Sequence, residues 1–300
     1  RETLKQFASY KDKARMCVTS PPYYGLRDYG GEENQIGQEQ SPEEFIQNLV
    51  EVFSLVRDCL TDDGTLWVNI GDSYYNYRPG KGQSYPKQSV SKTKQDLPDK
   101  CNKRGNKLEG LKEKDLIGIP WMLAFALRAD GWYLRQDIIW HKPNPMPESV
   151  RDRCTKSHEY IFLLSKNKKY YYDNEAIKEP AKDWGTRDRT NGKYHNKGTG
   201  LSPHTGLTKS YRTKNKRSVW KVTNKPYKGA HFAVYPPDLI EPCIKAGSRS
   251  GDIILDPFMG SGTTARVARS LNRDYVGCEL HEEYRNLIEI PSLDGLIEKK

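Results

Sequence analysis

The chain has 300 residues, of which 35% are hydrophobic, and its 49 basic and 39 acidic side chains give a formal net charge of +10. This length and hydrophobic content predict a globular core and exclude a wholly disordered chain. The basic excess favours a polyanionic partner such as a nucleic acid. No apolar run is long enough to span a bilayer, and the first residues lack the apolar core of a secretory signal, so we expect a soluble intracellular protein.

Cysteine and histidine patterns predict neither disulfides nor a metal. The six cysteines are scattered without a C-x-x-C pair, which argues against a zinc ribbon and a disulfide framework. His141 and His158 have no paired ligand at metal-binding spacing. The chain begins at Arg1 without a methionine, so we expect it to be a processed or excised piece.

Strand and helix patterns alternate from the start of the chain. Apolar residues recur at helical spacing between Ser41 and Leu60, and Ser41, Pro42 and Glu44 supply a cap, a first-turn proline and a capping-box acid. Strand patterns lie on both sides of this helix: RMCV (15–18), and GTLWVNIG (64–71), which is entered through a turn at DDG (62–64). This order predicts a parallel α/β sheet.

Two basic tracts of low hydrophobicity, 77–114 and 181–217, interrupt the pattern and are predicted to be loop insertions. The later regular patterns are a helix at 120–131, strands at 132–142 and 159–166, a helix at 236–248, a strand at 252–258, a helix at 263–272, a strand at 274–280 and a closing helix at 281–290. The whole predicts one domain over residues 1–300, built on a doubly wound, mostly parallel α/β sheet.

The string ILDPFMGSGTTA (254–265) places a glycine-bearing turn between a strand that ends at Asp256 and a helix that begins near Thr263. Ligands of open α/β sheets bind beyond the carboxyl ends of strands, and glycine lets the backbone approach them closely. The third glycine of a dinucleotide fingerprint and the lysine of a phosphate loop are absent, so we interpret the turn as a different cofactor cradle. Glu279, at the tip of the next predicted strand, is placed to hold two ribose hydroxyls, although a surface glutamate is an equally good interpretation.

These residues resemble a known family, the S-adenosylmethionine-dependent amino-methyltransferases of DNA. DPFMGSGTT is similar to their cofactor motif, and TSPPY (19–23) is similar to their catalytic motif, S/D/N-P-P-Y/F/W. Since the catalytic motif comes first, the order resembles the circularly permuted β class, and the segments at 138–149 and 231–248 resemble further family segments. The resemblance implies a Rossmann-like methyltransferase fold, S-adenosylmethionine as cofactor, and double-stranded DNA with a flipped target base as partner.

The resemblance also assigns roles to individual residues. The Ser20 side chain and the Pro21 carbonyl would accept hydrogen bonds from the target amine, and Tyr23 would stack on the base. Pro21 and Pro22 lack amide hydrogens and have a fixed φ, so their carbonyls stay available and stiffly aimed. The implied cofactor-binding residues are Asp256, Pro257, Phe258, Gly260, Ser261, Gly262, Thr263, Thr264, Glu279, His231 and Phe232.

Several alternatives remain open at this stage. Ser20, where many members carry Asp or Asn, favours the N4 amine of cytosine over the N6 amine of adenine. Methyl transfer to RNA or to a protein amide, and a DNA-binding module with an inactive fold, are weaker hypotheses. The tract 181–217 would hold target recognition or be a solvated charged loop, and 77–114 would contact the DNA backbone or be merely disordered. Cys17 is interpreted as a core residue, Asp72 as a pocket or turn residue, and the oligomeric state as monomer or homodimer.

Overall fold

The computed structural model describes residues 1–25, 35–75, 108, 110–181, 212–224 and 235–280. Within these ranges the helices are α1 (Glu2–Ala8), α2 (Pro42–Cys59), α3 (Ile119–Ala129), α4 (Pro237–Gly247) and α5 (Thr263–Ser270), with a 3-10 turn at Glu175–Ile177. The strands are β1 (Ala14–Thr19), β2 (Leu60–Ile70), β3 (Tyr133–His141), β4 (His158–Ser165), β5 (Glu179–Pro180), β6 (Thr213–Lys214), β7 (Val219–Lys221), β8 (Ile253–Asp256) and β9 (Asp274–Gly277).

Seven of these strands form one sheet in the order β7-β3-β4-β2-β1-β8-β9, and β5 and β6 form a separate short ribbon. The pairs β1–β2, β1–β8, β8–β9 and β3–β7 are parallel. Strand β4 runs antiparallel to both β2 and β3. The prediction of a doubly wound, mostly parallel sheet is therefore confirmed, with β4 as the reversed strand.

Helix α2 forms where the sequence predicts it. The Ser41 side chain accepts a hydrogen bond from the Glu44 amide at 3.2 Å, and Pro42 occupies the first turn. The side chain of Glu44 reaches back to the Gln40 amide at 3.1 Å, one residue before the position that a standard capping box uses. The apolar face of α2 is buried against the sheet.

The core lies on both faces of the sheet, because side chains of a strand alternate in direction. Cys17 of β1 packs with the apolar residues of α1, α2 and α3 on one face. Its neighbours Met16 and Val18 pack with α4 and α5 on the other. Strands β1, β2, β8 and β9 are parallel, so their carboxyl ends lie together at one edge of the sheet.

Two predicted boundaries are wrong. The turn expected at 62–64 does not form, because β2 begins at Leu60 directly after α2 and passes through Gly64 as strand. A register shift between Ala14 and Met16 of β1 absorbs the extra residues of β2. At the other end of the sheet, β9 ends at Gly277, so Glu279 lies two residues beyond the strand.

Both basic tracts fall mainly outside the described residues, and so does the predicted closing helix at 281–290. In the described part of the chain no helix is long and apolar enough to cross a membrane. The same residues contain no group of three or more His, Cys, Asp or Glu side chains placed to hold a metal ion.

Candidate active site

The two sequence motifs meet at the tips of adjacent strands. Strands β1 and β8 are parallel neighbours, so their carboxyl ends lie at the same edge of the sheet. The Thr19 hydroxyl donates a hydrogen bond of 2.6 Å to Asp256 Oδ1. Thr19 is fully buried and Asp256 is 1% exposed, so this contact joins the end of the catalytic motif's strand directly to the start of the glycine turn.

Asp256 holds the turn from behind. Besides Thr19, its carboxylate accepts hydrogen bonds from the Phe258 amide at 3.0 Å, from the Tyr235 hydroxyl at 3.2 Å and from the Thr264 hydroxyl. Burial raises the pKa of Asp256 above its usual value, and the four donors act in the opposite direction. Because its oxygens are occupied by protein donors, the side chain shapes a ligand site without lying on its surface.

The glycine turn is built to bring backbone close to a ligand. Gly260 and Gly262 have φ values of 53° and 78°, in the left-handed region that a side chain disfavours. The Gly260 amide donates to Glu279 Oε2 at 2.8 Å, which ties the turn to the end of β9. Ser261 Oγ is buried and has no hydrogen-bond partner among the described residues. An orphaned hydroxyl inside a glycine cradle fits a polar cofactor group.

Helix α2 positions both loops. The ring of Phe258, in the glycine turn, packs edge-on against Phe53 at a centroid distance of 6.4 Å. The ring of Tyr24, which follows the catalytic motif, packs against Phe45 at 5.5 Å. Phe45 and Phe53 are fully buried and lie on one face of α2, so a single helix is a common platform for the two loops.

A hydrogen-bond network lies behind the S-P-P-Y motif. The Tyr23 hydroxyl donates to Glu159 Oε2 at 2.6 Å, and Asn69 Nδ2 donates to the same oxygen at 3.2 Å. The other carboxylate oxygen of Glu159 is ion-paired with Lys142. Burial raises the pKa of Tyr23 well above its usual value, and the charge of Glu159 adds to the effect. Tyr23 is therefore a neutral hydrogen-bond donor at physiological pH.

Two residues with open interpretations are now assigned structural roles. Cys17 is fully buried, and burial, reinforced by the Asp256 charge, raises the pKa of its thiol well above the usual value. A neutral core thiol is the confirmed interpretation. The carboxylate of Asp72 accepts the amides of Ser73, Gly118 and Ile119 at 2.9–3.1 Å and so caps the start of α3.

The structure brings most of the predicted site residues to one edge of the sheet. Ser20 to Tyr23 follow β1, Asp256 ends β8 and Pro257 to Thr264 follow it, and Glu279 contacts the glycine turn. His231 and Phe232 lie outside the described residues.

Sequence reasoning missed three contributors: Thr19, Tyr235 and Glu159. Glu159 carried the clearest signal, because it is a carboxylate near the start of a buried apolar strand. Thr19 lies in the motif TSPPY and Tyr235 lies in the segment 231–248, but no sequence signal sets either residue apart within them.

Comparison with protein families matches residues 14–289 to the N6/N4 methyltransferase model, which is described as DNA methylase. Type II methyltransferase M.SmaI of Serratia marcescens is 51% identical over 275 residues, covering 90% of this chain and 81% of that protein. Type II methyltransferase M.Cfr9I of Citrobacter freundii is 49% identical over 270 residues, covering 90% of this chain and 78% of that protein.

Solved structures share the architecture. The PvuII DNA methyltransferase (cytosine-N4-specific) superposes with a TM-score of 0.61 at 16% identity, over 99% of this chain and 86% of that one. The M1.HpyAVI–SAM complex superposes with a TM-score of 0.52 at 17% identity, over 95% and 92%. At these identities the likeness concerns the fold alone.

Proposed function

Because the chain belongs to the N6/N4 DNA methylase family, we propose that it transfers a methyl group from S-adenosylmethionine to the N4 amine of cytosine in DNA. It acts inside the cell on double-stranded DNA as a site-specific type II methyltransferase, in line with relatives that carry that description. The observation that carries the proposal is the Thr19–Asp256 hydrogen bond of 2.6 Å, because it sets the catalytic motif beside the cofactor turn.

On the cofactor side, the turn from Asp256 to Thr264 forms the cradle. When bound, S-adenosylmethionine supplies an electrophilic methyl group on a sulfonium. The left-handed glycines let the backbone approach the cofactor, and the orphaned Ser261 hydroxyl gives it a hydrogen-bond partner. Glu279, which accepts a hydrogen bond from the Gly260 amide of the turn, also binds the hydroxyls of the ribose.

On the base side, the S-P-P-Y motif activates and holds the amine. An exocyclic amine is a poor nucleophile because its lone pair is delocalised into the ring. Ser20 Oγ and the Pro21 carbonyl accept hydrogen bonds from the two N–H groups of the amine and draw the nitrogen toward tetrahedral geometry. S-adenosylmethionine held by the glycine turn would supply the methyl group to the nitrogen lone pair and would leave as a neutral thioether, and the methylated amine would lose one proton to solvent.

Tyr23 provides the stacking surface for the extruded base. Stacking on an aromatic ring stabilises a bound base by about 1–3 kcal/mol. That offsets much of the cost of base flipping, which is on the order of a few kcal/mol. Its hydroxyl, held by Glu159 at 2.6 Å, fixes the plane of the ring.

The preference for cytosine is based on Ser20, which stands where many members of the family carry Asp or Asn. N6-adenine methylation is the second candidate, because both amines have the same chemistry. The tract 181–217 reads the target sequence, since its arginines can contact guanine edges and its lysines can neutralise phosphates.

The deciding experiment incubates the protein with labelled S-adenosylmethionine and unmethylated genomic DNA, followed by mass spectrometry of the nucleosides. N4-methylcytosine supports the proposal, N6-methyladenine favours the second candidate, and no methylated nucleoside refutes both. Ser20→Ala should lower the rate of transfer by at least about 100-fold while it leaves cofactor affinity unchanged. Ser9→Ala, an exposed serine after α1, is the matched control and should keep full activity. Equal rates for Ser20→Ala and the parent would contradict the acceptor role.

A further inference from the structure

Met259 is the one residue of the glycine turn to which the family resemblance assigns no role, yet its side chain is only 5% exposed. It lies across Gly277, the last residue of β9. A Cβ atom at Gly277 would overlap Met259 Cε and would lie 3.1 Å from its Cγ and 3.2 Å from its Cβ. A side chain at position 277 would therefore displace Met259 from a closely packed site.

The backbone conformation of Gly277 does not itself require glycine. Gly277 pairs with Asp256 as a regular strand residue, and its φ lies outside the left-handed region. Alanine could adopt this backbone without strain. Glycine inside a strand often marks a place where another group approaches the backbone closely. What glycine provides at this position is space for Met259.

The contact between Met259 and Gly277 joins two parts of the candidate cofactor site. The Met259 amide donates to the Cys278 carbonyl at 2.9 Å. The amide of the next residue, Gly260, donates to Glu279 Oε2 at 2.8 Å. Three successive positions after β8 and at the end of β9 are thus linked by side-chain packing, by a backbone hydrogen bond and by a carboxylate. The packing at Gly277 is the first of these links, so it sets the spacing of the other two.

We propose that Met259 and Gly277 are positioning residues for cofactor binding: the methionine lies on the bare backbone of the glycine, and this contact sets the distance between the glycine turn and Glu279. The inference rests on the proposed function, because it assumes that the turn and Glu279 bind the same S-adenosylmethionine. A larger residue at position 277 pushes the turn away from the end of β9. A cofactor of fixed size then loses contacts with one of the two.

The first test is Gly277→Ala, measured as the S-adenosylmethionine Kd by calorimetry and as methyl transfer to unmethylated DNA. The Kd should rise by about tenfold or more, the scale of one lost hydrogen bond to a charged group. The rate at saturating cofactor should stay within about twofold of the parent, because the displaced groups bind the cofactor and do not contact the target amine. An unchanged Kd refutes the inference.

The second test removes the methionine in both backgrounds. In the parent, Met259→Ala loses the contact that holds the turn, so the Kd should rise by about three- to fivefold. In Gly277→Ala the same change removes the overlap, so it should lower the Kd to the value of Met259→Ala alone. A steric contact predicts this reversal of sign. Losses that multiply in the double variant overturn the proposal.

Gly247→Ala is the matched control, because it creates the same kind of overlap in another part of the sheet. A Cβ atom at Gly247 would lie 2.7 Å from the sulfur of Met16, in the middle of β1, and 3.2 Å from Thr65 Oγ1. This variant should lower the melting temperature and leave the cofactor Kd unchanged. An equal rise in Kd for Gly247→Ala and Gly277→Ala would show a general loss of stability and would overturn the positioning role.

The remaining outcomes separate this inference from the proposed function. If Gly277→Ala does not fold, Met259→Ala alone is decisive, and a Kd equal to that of the parent refutes the inference. A parent protein that binds S-adenosylmethionine while Gly277→Ala keeps its Kd refutes only the role of Met259 and Gly277. A parent that binds no S-adenosylmethionine refutes the proposed function itself.

Discussion

Replacing Thr19 with valine tests whether the strand of the catalytic motif supports the cofactor turn. Valine has nearly the shape of threonine, and Thr19 is fully buried, so the change removes one hydroxyl and its 2.6 Å hydrogen bond to Asp256. A hydrogen bond to a charged group contributes about 1.5–3 kcal/mol. Asp256 Oδ1 keeps the Phe258 amide as a donor, so the cost should lie at the lower end, about 1.5–2 kcal/mol.

These energies translate into two measurements. With an unfolding entropy of about 2 cal/mol/K per residue, the melting temperature of a chain of this size should fall by about 2–4 °C. With about half of the energy expressed in the turn, the Kd for S-adenosylmethionine should rise about three- to sixfold. Differential scanning calorimetry and isothermal titration calorimetry measure the two quantities on the same samples.

The control is Thr65→Val in the neighbouring strand β2. Thr65 is 1% exposed, and its hydroxyl accepts a hydrogen bond from Trp67 Nε1 at 3.1 Å, away from the carboxyl ends of the strands. This variant should lose about 1 kcal/mol of stability with no change in cofactor affinity. The reasoning is refuted if Thr19→Val matches the parent in both measurements, or if Thr65→Val weakens cofactor binding equally.

Two further predictions concern residues at the same edge of the sheet. Gly71→Ala should slow methyl transfer without changing cofactor affinity, because the new Cβ would lie 2.8 Å from the Tyr23 ring. Single-turnover rates of transfer test this prediction, and an unchanged rate would show that the ring moves freely. Burial raises the pKa of Asp256, so its favourable contribution to stability is full below the unfolded pKa of about 3.9 and is lost as pH rises through the folded value. Asp256→Asn has no such loss, so its melting temperature minus that of the parent should increase from about pH 4 to pH 7, and a constant difference would contradict the assignment.

The sequence alone determined the elements and the chemistry of the two motifs. The cap of α2, the glycines of the turn and the apolar strands are encoded by residues within a few positions of one another, so their patterns are legible without a fold. The resemblance of DPFMGSGTT and TSPPY to family motifs added the cofactor and the reaction. Local signals were misleading at 62–64, where Asp-Asp-Gly is typical of a turn but strand pairing with β1 extends β2 through it.

Only the tertiary structure decided how the motifs are supported. Thr19 and Asp256 are 237 positions apart in the chain, and Tyr23 and Glu159 are 136 apart, so no local pattern links them. The reversed direction of β4 places Glu159 at the edge where the parallel strands end. Such contacts depend on the order and direction of the strands. These are decided by how the whole sheet packs, so the residues around any one strand do not reveal them.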